Sequence, residues 1–401
     1  MEDDASERAE PPPVPGTPSV RERLQAAPVT TAVSVCALAA TFLWWTAGSQ
    51  SQADGESFRG LFWQPADRTW AGAWWTLVTS SFLHVNQAHV VFNVYWMYRL
   101  VTECERRTGS VRWLVFFLAT TAFASFAELA LSDDTGIGLS GFAYAAFGFA
   151  WRRTATDARW AGVIRRWDPL LWIGWGVLCW VLTLTKVWSV GNAAHAAGLV
   201  VGLGWAWFTE PRRWVVARYG AAALVFGAAV FRAVHGVPWS PSWHYAQAIK
   251  AFERNDAAAA IPEFRRALDL GFYRGSCLEG VAAMEIVRYD HAAYEAAMKE
   301  LEAFDATWCR EARGRREGTA AWEVMCVKEA IDARDAKAAL PHLVRARELG
   351  AEVRWCLTYL AWAHFVLHDA AEYDATMTEL KSADPAAYQD ALDRYGASVP
   401  K

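Results

Sequence analysis

The sequence predicts an all-α chain in two parts: a polytopic membrane helix bundle followed by a soluble α-solenoid. Three observations carry this prediction. Apolar runs recur through the first half, at about 29–48, 88–104, 111–131, 140–154, 168–187, 190–209 and 213–233. After Trp239 the chain turns charged, keeps a helical pattern and repeats itself. Of 401 residues, 54% are hydrophobic and 14% aromatic, yet the mean hydropathy is close to zero, too low for a chain buried in lipid throughout. A net charge of −4, with no basic stripe, argues against a nucleic-acid binder. Many of the 24 tryptophans lie near the ends of apolar runs, as in the aromatic belts of membrane interfaces.

Residues 1–27 are acidic and rich in proline (Pro11, Pro12, Pro13, Pro15, Pro18), without the basic and apolar regions of a signal peptide. They are expected to be a disordered cytoplasmic tail. Residues 28–209 then form a six-span core, 210–238 a seventh span, and 239–401 the helical repeat domain. Basic residues set the orientation. Arg21 and Arg23, then Arg106, Arg107 and Arg112, then Arg152, Arg153, Arg159, Arg165 and Arg166, and finally Arg212 and Arg213 fall on one side. The opposite loops carry only Arg59 and Arg68, then Asp133 and Asp134, then Lys186. The chain is therefore expected in a bacterial cytoplasmic membrane, with its N-terminus on the cytoplasmic side and Ser140 opening toward the outer face. Arg218, near the inner end of the seventh run, can snorkel to the interface. With that run spanning, the repeat domain lies outside the cytoplasm.

Chemistry concentrates at Thr135-Gly136-Ile137-Gly138-Leu139-Ser140-Gly141-Phe142-Ala143-Tyr144. A helix from Ser140 to about residue 154 covers roughly 22 Å of a hydrocarbon core about 30 Å thick. Ser140 would then sit roughly 8 Å below the outer surface. Irregular backbone at that depth is tolerated only where protein or a cavity covers it. Tyr144 lies one turn further along the same face. In the sixth run, His195, Gly198 and Gly202 share a face, and Gly198 with Gly202 forms a GxxxG pair that lets a neighbouring backbone approach. If the neighbour is the fourth span, His195 reaches Ser140. His89 and Asn93, four residues apart in the second span, also share a face.

A serine is a weak nucleophile until a base takes its proton. A neutral histidine supplies that base, and a helix N-terminus favours the negative charge that develops. The Ser140 N–H, the Asn93 amide and the His89 ring are candidate donors to an oxyanion. With no carboxylate evident to orient His195, packing against Tyr144 is expected to do so, giving a dyad in place of a triad. Taken singly, each residue has a plainer reading as interhelical packing or hydrogen bonding. His84 is expected to be structural, bonding loop backbone, and Glu103, Glu105 and Arg107 to be interfacial and solvated. No spacing suggests a metal or a cofactor.

Gly138-Leu139-Ser140-Gly141 fits a GxSG motif, with Tyr144 following. Ala194-His195-Ala196-Ala197-Gly198-Leu199-Val200-Val201-Gly202 fits AHxxGxxxG, and His84-x4-His89-x3-Asn93 fits HxxxxHxxxN. In these motifs, over about 29–209, the chain resembles the rhomboid family of intramembrane serine proteases. The resemblance implies Ser140 as nucleophile, His195 as general base, and His89 and Asn93 lining the oxyanion hole. It implies substrates that are transmembrane segments of other proteins, cut near the outer face. Where many members have Trp-Arg in the first long loop, this chain reads Trp75-Thr76. The seventh run resembles members with a span added after the core. The alternative is a non-catalytic membrane adaptor or client-binding scaffold, against which the intact Ser140 and His195 weigh.

In the second half, residues 251–305 align without a gap onto 330–384, a shift of 79 with more than twenty identities. Each unit reads as four helices, with extra turns near 310–318, so the whole is a solenoid. Ala260, Phe264 and Ala267 resemble the second-helix spacing of tetratricopeptide repeats, and Asp384-Pro385 their terminus. A peptide or protein ligand is the expected partner. Cys277, Cys309, Cys326 and Cys356 permit disulfides if the domain is extracytoplasmic, or buried free thiols. Cys36, Cys104 and Cys179, in or beside spans, are expected to be packing.

Overall fold

A computed structural model describes residues 19–210 and 237–399 of the chain. The seventh apolar run lies outside the described residues, as does the tail up to residue 18. Every regular element among the described residues is helical, and the chain divides into two compact units.

The first unit begins inside the stretch expected to be a tail. Ser19 and Glu22 form a reciprocal capping box at the start of α1 (Val20–Gln25). Next come α2 (Pro28–Gln50) and, in the first long loop, α3 (Gln52–Phe62), α4 (Ala66–Ala71) and α5 (Thr76–Thr79), with a 3-10 turn at Ser80–Phe82. α6 (Gln87–Trp96) continues through a π turn at Met97–Val101 into α7 (Thr102–Thr108). The last four among the described residues of this unit are α8 (Ser110–Ser132), α9 (Ser140–Thr156), α10 (Asp168–Leu184) and α11 (Asn192–Phe208). Among the described residues, α2 and α8, at 23 residues each, are long and apolar enough to cross a membrane. α9, α10 and α11 have 17 residues each, about 25 Å of helix.

α9 is the centre of this unit. Every residue from Gly141 to Ala150 is buried, so the helix is enclosed on all sides. Trp113 and Phe116 of α8 pack against its Phe142 and Phe149, with ring centroids 5.4–6.0 Å apart. On another face α11 lies backbone to backbone with it. A Cβ added at Gly198 would stand 2.2 Å from the Gly141 carbonyl oxygen, and one at Gly202 only 1.9 Å from that of Ala145. Gly148 reciprocates from α9, where a Cβ would meet the Leu199 carbonyl at 2.5 Å. Only glycine permits that approach.

Glu105 corrects an expectation. It is not solvated but 0% exposed, and its carboxylate accepts the N–H groups of Val29 (3.0 Å) and Thr30 (2.7 Å). Those are free donors of the first turn of α2, where an anion also complements the helix dipole. The partner lies 75 residues away in sequence, so no local pattern reveals it. Glu103 behaves as expected of an interfacial group, pairing with Arg23, Arg106 and Arg107.

Among the described residues the second unit holds ten helices in two sets of five. The first set is α12 (Pro241–Glu253), α13 (Ala257–Asp269), α14 (Arg274–Arg288), α15 (His291–Phe304) and α16 (Ala306–Arg316). The second is α17 (Ala320–Asp332), α18 (Ala336–Glu348), α19 (Val353–Val366), α20 (Ala370–Ala383) and α21 (Pro385–Tyr395). Each helix of the second set starts 79 positions after its counterpart. The duplicated unit thus has five helices, one more than the periodicity suggested, and the extra turns near 310–318 are α16. Punctuation is duplicated too. The caps Ser240 and Thr319, Asp256 and Asp335, Asp290 and Asp369, and Asp305 and Asp384 all accept backbone N–H groups. All seven cysteines are free, and burial pushes the Cys277 and Cys326 thiols up to about 12.

One contact is duplicated with its partners exchanged. In the first set His244 of α12 bonds Glu263 of α13 through Nδ1 at 2.6 Å. At the corresponding positions of the second set, Glu323 of α17 accepts from His342 of α18, again at 2.6 Å. Either order satisfies the same gap between paired helices, so the pairing is what the packing requires. Accordingly, His244→Glu alone, which sets two carboxylates face to face, is expected to destabilise the domain by about 1 kcal/mol or more. The double exchange His244→Glu with Glu263→His should recover most of that loss, as read from thermal unfolding of the full chain.

Candidate functional site

Ser140 is the first residue of α9 and is half-buried. The loop before it is fixed from three sides. Thr135 Oγ1 donates to the Gln64 carbonyl (2.7 Å), while its own carbonyl accepts from Trp63 Nε1 (2.5 Å). Gly138 N–H donates to the Ser80 carbonyl (3.2 Å) and Leu139 N–H to His84 Nε2 (3.4 Å). His84 therefore bonds loop backbone as expected, and its Nδ1 lies 3.3 Å from Thr41 Oγ1. Gly138 has φ +107°, and a Cβ there would stand 2.7 Å from His89 Cε1. A side chain at this point would be strained and would displace the histidine.

The close packing of α9 on α11 brings His195 to Ser140. The Nε2–Oγ separation is 2.8 Å, and His195 is buried. Tyr144, one turn beyond Ser140, stacks on the imidazole with centroids 4.6 Å apart and planes 22° from parallel. Its hydroxyl donates to the Trp172 carbonyl at 2.9 Å, so the stacking ring is itself anchored to α10. Gly141, Gly198 and Gly202 lie in the helix contact.

His89 and Asn93, both on α6, line one cavity of about 460 Å³ together with Ser140 and His195. Asn93 Nδ2 and His89 Nδ1 are buried and have no hydrogen-bond partner among the described residues. Buried polar atoms without partners are costly, and here they belong to a cavity whose other walls include Trp96, Trp172 and Trp175. The expected site residues thus converge.

Sequence reasoning missed one participant. Glu128, on α8, is 4% exposed and its Oε2 accepts the Ala194 N–H at 2.8 Å. That amide belongs to the first turn of α11, next to His195. The carboxylate thus ties α8 to the free donors of the helix that carries the imidazole. It also sits beside Gly191, where a Cβ would be 3.4 Å from Oε2. The signal was present: Glu128 is the one acidic residue inside the third apolar run, and ionisable groups in spans are functional by default.

Fold and site together define an all-α membrane protein with a serine–histidine pair at the N-terminus of an enclosed helix, joined to a helical repeat unit. Residues 71–212 match the family model described as Rhomboid domain. Over 183 residues, 45% of this chain, it is 31% identical to Rhomboid protease GlpG of Yersinia enterocolitica, of which that stretch covers 62%. The chain therefore spans less than two thirds of that relative's length. The Rhomboid domain match and the apolar helices together mark the chain as an integral membrane protein.

The glycine contact is open to direct test. Gly202→Val places atoms where the Ala145 carbonyl already is, and should destabilise the membrane unit by about 2 kcal/mol or more. Gly204→Ala, with open space around its Cβ position, should leave thermal unfolding in detergent within about 0.5 kcal/mol of wild type.

Proposed function

We propose that the chain is an intramembrane serine endopeptidase that cuts transmembrane segments of other membrane proteins with a Ser140–His195 dyad. The observation that carries this reading is the 2.8 Å approach of His195 Nε2 to Ser140 Oγ, at a helix N-terminus and beside the unpaired Asn93 amide and His89 ring nitrogen. In the first step Ser140 Oγ attacks the scissile carbonyl carbon while His195 Nε2 takes the hydroxyl proton. The oxyanion is held by the Ser140 N–H, the Asn93 amide and the His89 ring, with the α9 N-terminus adding its dipole. Collapse of the intermediate expels the amine, which receives the proton from His195. Water then hydrolyses the acyl-enzyme by the same steps, with His195 as base. Tyr144 orients the imidazole by stacking, and Glu128 fixes the backbone that carries it.

The bias of arginines places Ser140 toward the outer face and the N-terminus in the cytoplasm. The repeat unit is a binding module for a peptide or protein. Supporting this, α17 and α19 border a cavity of about 530 Å³ that Tyr289, Trp355 and Tyr359 help to line.

Reconstituted full-length protein should cleave a reporter transmembrane substrate, and Ser140→Ala or His195→Ala should lower the rate at least about 1000-fold at unchanged folding. Equal turnover by wild type and both variants would remove the dyad. Glu128→Ala should lower kcat about tenfold with little change in KM, whereas Glu128→Gln, whose amide oxygen can still accept the Ala194 N–H, should recover most of it. Labelling of Ser140 by a fluorophosphonate should follow the same order.

A further inference from the structure

At the other end of α9 lies a second cavity, of about 490 Å³. Arg153 stands thirteen residues after Ser140, about 20 Å further along the helix axis. The cavity is thus on the opposite side of the membrane unit from the serine. Its floor is aromatic, formed by Trp113 and Phe116 of α8, Phe149 of α9 and Trp205 of α11. Its rim carries four arginines, Arg107, Arg112, Arg153 and Arg159, against two acids, Asp157 and Glu210.

The acids are already engaged. Asp157 takes Arg159 through both oxygens, at 3.0 and 2.7 Å from Nε and Nη2. Glu210 takes Arg152, at 2.9 and 3.2 Å. Arg107 pairs with Glu103. Two cations remain. Arg153 is 9% exposed and donates from Nη2 to Thr209 Oγ1 at 2.7 Å, but its Nε has no partner among the described residues. Arg112, at the start of α8, is exposed and makes no ion pair or hydrogen bond among them. Asp157 and Glu210 also act on Arg153 electrostatically, but each is already bonded to another arginine, so positive charge is in excess at this rim. The rim borders a cavity with room for a ligand.

We infer that this cavity binds the headgroup of an anionic phospholipid, with Arg112 and Arg153 on the phosphate and the aromatic floor against the upper acyl chain. The occupant is a lipid and not a soluble anion because aromatic side chains line the cavity beside the guanidinium groups. Lipid phosphates lie at the depth of the helix ends, and basic pockets between spans on the cytoplasmic side suit them. Arg153 reaches the site from a buried helix, so the lipid adds negative charge where arginines outnumber acids.

The test uses full-length protein in neutral detergent, titrated with phosphatidylglycerol or with phosphatidylcholine of the same chains, bound lipid being counted by native mass spectrometry. Wild type should retain one phosphatidylglycerol at least tenfold more tightly than phosphatidylcholine, and Arg112→Glu should abolish that preference. Arg166→Glu, a change at an exposed basic residue of the same side outside the cavity, should leave it intact. Arg112→Glu is exposed and does not depend on core packing, so folding and lipid binding separate; Arg153→Gln should repeat the loss where it folds. Equal retention of the two lipids, or equal effects of Arg112→Glu and Arg166→Glu, would overturn the inference. So would displacement of phosphatidylglycerol by millimolar inorganic phosphate, which would mark a soluble-anion site.

Discussion

The membrane unit depends on one constraint: α9 and α11 must touch backbone to backbone. Gly198 and Gly202 face the carbonyls of Gly141 and Ala145 at distances that leave no room for a methyl group. In lipid there is little hydrophobic gain from pairing helices, so close van der Waals contact has to hold them. The same contact sets the distance between a serine on one helix and a histidine on the other. Packing and chemistry are therefore a single requirement here, met by glycines one turn and two turns from His195.

Around that contact, buried carboxylates hold helix starts. Glu105 binds the first turn of α2 and Glu128 the first turn of α11. In both cases an acid on one helix satisfies backbone donors that begin another, where water is scarce and an unmet N–H is expensive. Each is a charge within an apolar unit, stabilised by the dipole of the helix it caps. Glu128 acts on the main chain beside His195 and not on the ring. The ring is instead held by Tyr144, itself anchored on α10.

The repeat unit follows a different logic. Its stability rests on stacking of short helices, each started by a side-chain cap and closed by a turn that recurs 79 positions later. The exchanged histidine–glutamate pair indicates which contacts the duplicated architecture keeps. Identity of the residues has drifted, while complementarity across the helix pair has not.

Much of this was legible in the sequence. Apolar runs located the helices of the membrane unit, and small-residue spacing with motif order singled out Ser140, His195, His89 and Asn93, because those signals are local and periodic. The duplication was also legible, although its fifth helix was not, since α16 is short and strongly charged, with no clear apolar stripe. What only the tertiary structure decided are long-range polar contacts. Glu105 and Glu128 find their partners 75 and 66 residues away, and no spacing within one helix announces a bond to the start of another. The sequence by itself determined which groups are present and on which faces. The fold decided which of them meet, because only packing can bring together donors and acceptors that the chain separates.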